Sequence, residues 1–210
     1  VEFDSKGNAA DFGDLTVATR SSSGHGNDTR GINGGGYTPS DSNVIDYVTF
    51  ATIGNATDFG DLTVARGGLF ASGSNTRSLF AGGYSFSPGA NSDVIDYVTT
   101  ASTGNAIDFG NLSTARNSAS SFSSSTRSLF AGGSVPSPYG NVIDYVTVAS
   151  TGDATDFGDL TVARTALGPR GSNQTRGLTL GGYQSPGTDS DVIDYVTIAS
   201  TGNAADFGNL

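Results

Sequence analysis

The chain has 210 residues, of which 31 are Gly and only 14% are charged, and its formal net charge is −10. One lysine, Lys6, and nine arginines cannot supply the basic stripe that a nucleic acid or an anionic lipid surface requires. Without Cys there is no disulfide, thiolate metal site or cysteine nucleophile, while 8 Tyr and 12 Phe argue against disorder.

In chain order, residues 1–15 repeat the phrasing of 196–210 and read as the end of a preceding unit. With no initiator Met, they imply an excerpt of a longer array. The triplet Asp-Phe-Gly starts at Asp11, Asp58, Asp108, Asp156 and Asp206, at intervals of 47, 50, 48 and 50 residues. In step with it run Val-Ile-Asp-Tyr-Val-Thr from Val44, Val94, Val142 and Val192, and a Gly-Gly pair at Gly35, Gly82, Gly132 and Gly181. Val-Ile-Asp-Tyr-Val-Thr predicts a β-branched strand followed by a hairpin turn. The segment around Asp-Phe-Gly predicts a weaker strand, residues 67–71 a small-residue strand, and Ser-Leu-Phe-Ala-Gly-Gly-Tyr the last of the unit. No segment has a helical apolar period, and no apolar run approaches the length of a membrane span.

Four strands per period of this length predict an all-β chain of propeller blades. Their bounds are 16–62, 63–112, 113–160 and 161–210, with 1–15 the end of a preceding blade. Gly-rich strands suit a crowded central axis.

The unit resembles a kelch repeat. Gly82-Gly83, Tyr97, Phe109 and Arg116 fall where that family has its Gly pair, tyrosine, aromatic and arginine, with Phe standing for the usual Trp. The resemblance implies a kelch-like β-propeller, or a section of a larger ring or tandem array. The near-identical phrasing also resembles repeat domains of marine and cyanobacterial phage tail fibres and virion appendages. That implies a virion or extracellular location.

Charges that repeat in every copy predict structural Asp–Arg pairs, because buried charges persist only when paired. The aspartates are Asp46, Asp96, Asp144 and Asp194. The arginines fill two slots, one holding Arg20, Arg66, Arg116 and Arg164, the other Arg30, Arg77, Arg127 and Arg176. Function is expected where the copies differ, in segments 37–43, 84–93, 134–141 and 183–191, since binding sites are built on variable loops of rigid scaffolds. Candidate ligand residues there are Tyr37, Asp41, Tyr84, Phe86, Tyr139, Tyr183 and Asp189, a composition suited to stacking on sugars and bonding their hydroxyls.

Asp-Phe-Gly copied at blade spacing, without partner motifs, is not a kinase metal triplet. The single histidine, His25, is poor material for a triad or a metal site. Residues 41–43, 91–93 and 189–191 place paired oxygen side chains as hard cations like, though 139–141 breaks the pattern and Asx turns explain the triplets more simply, so no cofactor is expected and calcium is the one ion left open. The reading is a non-enzymatic adhesion module for a surface glycan or protein, with other virion proteins as partners, and an oligomer or longer chain. The alternative is a structural tandem-repeat fibre or decoration protein without a dedicated ligand site.

Overall fold

The computed structural model describes residues 8–136, 139–165 and 170–210, with Arg170 described by its backbone alone. Among them there is no helix, and hence none long and apolar enough to cross a membrane. The chain forms four successive antiparallel sheets of four strands each, every one a simple meander. The first sheet holds Ser23–Gly26, Arg30–Gly34, Val44–Thr49 and Thr57–Asp61. The second holds Phe70–Gly73, Arg77–Ala81, Val94–Thr99 and Ile107–Asn111. The third holds Ser120–Ser123, Arg127–Ala131, Val142–Thr147 and Thr155–Asp159. The fourth holds Arg170–Ser172, Arg176–Leu180, Val192–Thr197 and Ala205–Asn209. The small-residue strand of the second sheet thus starts at Phe70 rather than Gly67, because residues 67–69 belong to the crossover between sheets.

Consecutive sheets stack face to face, with their first strands as closest neighbours. Small side chains let these strands approach: Ala71 N donates to Ser23 Oγ at 3.0 Å, and Ser121 Oγ donates to the Ala71 carbonyl at 2.8 Å. The third strand shows why its residues recur. Ile95 and Tyr97 pack toward the third sheet, while Val98 and Asp96 face the first. Each gap between consecutive sheets is filled by its own apolar cluster, so the described residues hold three cores rather than one.

The Asp-Phe-Gly signature closes the outer rim. The Asp58 carboxylate accepts the Gly60 amide at 3.1 Å, and a register shift between Ile45 and Asp46 leaves Phe59 free to meet Tyr47 edge-on at 5.8 Å. The Phe59 and Asp61 carbonyls then accept the amides of Gly104 and Ala106 from the next sheet, at 2.7 and 2.8 Å. Gly60 has φ +145°, and a Cβ there would run into the Gly104 backbone, which leaves glycine as the residue that fits.

Among the described residues no strand of the fourth sheet packs on the first as consecutive sheets do. Phe207 and Leu210 of the fourth sheet are 58% and 72% exposed, whereas their counterparts Phe157 and Leu160 in the third are 3% and 4% exposed.

Candidate functional site

The connections between second and third strands lie on one face, interleaved with the crossovers that join successive sheets. Backbone bridges pair Arg20 with Tyr37, Gly67 with Tyr84 and Asn117 with Ser134, and Arg164–Thr165 pairs with Tyr183–Gln184. Every variable loop is therefore anchored by the chain entering its own sheet.

Two of the loops meet. Phe86 reaches back from the second sheet's loop to Tyr37 of the first, with ring centroids 4.6 Å apart, and lies edge-on to Tyr84 at 5.0 Å. Arg20 sits over the other aromatic partner, its guanidinium 4.7 Å from the Tyr37 ring centre. Asp41 locks the two loops: Oδ2 accepts the Phe86 amide at 2.8 Å and the Ser85 hydroxyl at 3.0 Å. Its other oxygen, Oδ1, is buried with no hydrogen-bond partner. This unmatched acceptor lies beneath the loop surface, next to the half-exposed rings. Phe86 itself is 56% exposed.

Tyr139 and Tyr183 form a second cluster, 5.9 Å apart, at a groove of about 530 Å³ lined also by Ser134, Val135, Pro136 and Pro186. Asp189 is exposed and pairs through its backbone with Tyr183, and it joins neither aromatic cluster. Asn91, singled out only within the calcium-like triplet 91–93, and Asn117, which composition gave no reason to single out, tie the second loop to the third: Asn117 Nδ2 donates to Asn91 Oδ1 at 2.6 Å, and Asn91 Nδ2 to the Ser134 carbonyl at 3.0 Å. Ser42, Ser92 and Ser190 each accept the amide two residues on, so the triplets weighed for calcium act as turns leading into a strand. Among the described residues no group of three or more His, Asp or Glu side chains is placed to hold a metal ion.

The two arginine slots separate. Arg66–Asp96, Arg116–Asp144 and Arg164–Asp194 are buried ion pairs of 2.9, 2.8 and 2.7 Å. Burial lowers all three guanidinium pKa values, and the paired aspartates pull them back up. Asp46 differs: Thr19 stands at the register of Arg66, six residues beyond the Asp-Phe-Gly glycine, and Arg20 falls one position late. Asp46 keeps only the contact that every repeat has, from the Thr16 hydroxyl and amide, at 2.6 and 3.1 Å. In the second slot Arg30, Arg77, Arg127 and Arg176 lie over Tyr47, Tyr97, Tyr145 and Tyr195 at 4.6–5.0 Å. The first three also donate to backbone carbonyls of the following sheet, at Ala101, Val148 and Ile198. These residues tie sheet to sheet without an aspartate.

At the opposite end, the hairpins joining first and second strands of all four sheets surround a depression of about 390 Å³. His25 lines it, with Nδ1 3.0 Å from Ser78 Oγ, and burial lowers its pKa below the usual 6.5.

Compared with known protein families and with the sequences of characterised proteins, the chain finds no match.

Proposed function

We propose that this chain is a section of a kelch-like β-propeller acting as a non-enzymatic adhesion module, on a virion appendage or another extracellular surface. It binds a surface glycan or protein through its variable loops. The observation that carries the reading is the Tyr37–Phe86–Tyr84 cluster, assembled from two neighbouring loops around Asp41 and its unpartnered Oδ1. Rings of this kind present a flat apolar surface to the faces of pyranose rings, and Asp41 holds the two loops that carry them together. A net charge of −10 directs the module toward neutral or cationic surfaces rather than phosphate-rich ones. Each contact is weak, and multiplying it over several loops and copies gives useful avidity.

Replacing Tyr84 and Phe86 together by Ala is expected to abolish saturable binding to host cells or to a glycan array. The melting temperature should move by no more than about 4 °C, as for a loss near 1 kcal/mol in a domain of this size. Retained binding in the double variant would remove the site from this face. The alternative reading, a structural repeat fibre or decoration protein, is favoured by a different observation, the arginine-to-carbonyl ties that recur from each sheet to the next.

A further inference from the structure

We infer that the groove between the third and fourth loops is an open subsite for one neutral pyranose ring, whereas the chain itself fills the corresponding junction between the first and second loops. This rests on the adhesion reading and names the ligand class for one part of that face.

One position in each loop sets how it meets the next. Ser42, Ser92 and Gly140 donate their amides to the carbonyls of Gly36, Gly83 and Gly133, at 2.9, 2.8 and 2.9 Å. The residues just before them, Asp41, Asn91 and Tyr139, are therefore equivalent, and each reaches forward. Asp41 accepts the Phe86 amide and the Ser85 hydroxyl at 2.8 and 3.0 Å. Asn91 donates to the Ser134 carbonyl at 3.0 Å. Both are polar clamps that draw neighbouring loops together. Tyr139 instead meets the ring of Tyr183, 5.9 Å away, and among the described residues neither phenol makes a hydrogen bond. Without a clamp, the third and fourth loops stand apart.

The fourth loop is also one residue shorter than the second. Tyr84-Ser85-Phe86-Ser87-Pro88-Gly89 corresponds to Tyr183-Gln184-Ser185-Pro186-Gly187. The framing pairs match, Ser85 with Ala90 and Gln184 with Thr188. In both, the tyrosine hydroxyl lies beside the turn glycine, 3.5 Å from a Cβ placed on Gly89 and 3.1 Å from one on Gly187. The residue left out is Phe86, whose ring packs on Tyr37 at 4.6 Å. Where the second loop carries its own ring across the junction, the fourth leaves a groove of about 530 Å³, inside the usual range of small-ligand clefts.

Among the described residues no charged side chain lines this groove. Tyr139 and Tyr183 offer aromatic faces, Val135 and Pro186 apolar edges. The Ser134 and Ser185 hydroxyls, like the two phenols, make no hydrogen bond among the described residues. An aromatic side chain such as that of Phe86 would cover the rings and leave these hydroxyls unmatched. A pyranose matches both, its C–H face to a ring and its hydroxyls to hydroxyls. An acidic sugar finds no cation in the groove to pair with its carboxylate, in a chain of net charge −10.

Saturation-transfer NMR on the full chain tests this. The neutral probes are methyl glucoside, methyl galactoside, methyl mannoside and N-acetylglucosamine; glucuronate is the charged probe and N-acetylphenylalanine amide the aromatic one. At least one neutral sugar is expected to bind saturably with a Kd of about 1 mM, the strength of a single small contact, and more tightly than glucuronate or the aromatic amide. Tyr183→Ala is expected to weaken that binding at least about tenfold, and Tyr183→Phe, which keeps the ring, by far less. Inserting a Phe between Gln184 and Ser185 restores the length and ring of the second loop. It is expected to abolish the sugar signal without lowering the melting temperature, which separates a filled groove from a misfolded loop. No signal from any neutral sugar, tighter binding of glucuronate or of the aromatic amide, or sugar binding that either groove variant leaves unchanged overturns the inference. The adhesion reading fails by a different result, retained cell binding in the Tyr84/Phe86 double variant.

Discussion

Arg66→Ala is expected to destabilise the chain by about 3–5 kcal/mol, the usual consequence of leaving one member of a buried ion pair alone. Arg66 is 0% exposed and sits in the crossover between the first and second sheets. Its guanidinium meets Asp96 Oδ2 at 2.9 Å and donates to the carbonyls of Gly82, Phe80 and Val64 at 2.7, 3.1 and 2.9 Å. One side chain thus fixes the crossover, the Gly-Gly turn and the third strand of the following sheet. Truncation leaves Asp96 charged and buried, with only Thr63 to bond it. Adding Asp96→Asn to Arg66→Ala is expected to recover at least about 1 kcal/mol, because the orphaned charge is the costliest part of the loss. Urea unfolding of the three variants measures both effects. A loss below about 0.5 kcal/mol for Arg66→Ala, the size of an ordinary surface substitution, would make the repeated arginines peripheral to stability.

Phe122→Ser is expected to cost about 3–5 kcal/mol and Gly177→Ser about 1–3 kcal/mol, the first by emptying a core and the second by overfilling it. Together they should cost less than their sum. The same slot is filled differently at each interface. His25 Nδ1 meets Ser78 Oγ at 3.0 Å between the first and second sheets, and Ser72 Oγ meets Ser128 Oγ at 2.5 Å between the second and third. Between the third and fourth, the Phe122 ring lies where a Cβ on Gly177 would have to be. Changing both residues to Ser recreates the Ser72–Ser128 contact, so the double-mutant cycle should show a favourable coupling of at least about 1 kcal/mol. Strict additivity would mean that the two residues do not share one site.

The recurrence of Asp-Phe-Gly and Val-Ile-Asp-Tyr-Val-Thr made the all-β, four-strand unit legible, because each repeated residue has a local role as an Asx turn, a core ring or a close backbone approach. Ring closure was not legible, since it depends on how far successive sheets rotate, which no single repeat encodes. The inserted Thr19 hid the displacement of Arg20, as counting arginines does not reveal register. Arg30 is misread from sequence for another reason. Its partners are a ring in its own sheet and a backbone carbonyl 71 residues away, and carbonyls leave no trace in a sequence. The loop aromatics were visible as composition. That Phe86 meets Tyr37, while Tyr139 meets Tyr183, follows only from the stacking of neighbouring sheets.

The central claim is that the repeated residues build a scaffold and the loop face binds. The most direct measurement compares the wild-type chain with one in which Tyr37, Tyr84, Phe86, Tyr139 and Tyr183 are all Ser, by glycan-array and host-cell binding alongside thermal unfolding. Saturable binding by the wild type and none by the stripped chain is expected, with both unfolding in a single cooperative transition. Equal binding by the two folded chains would contradict it.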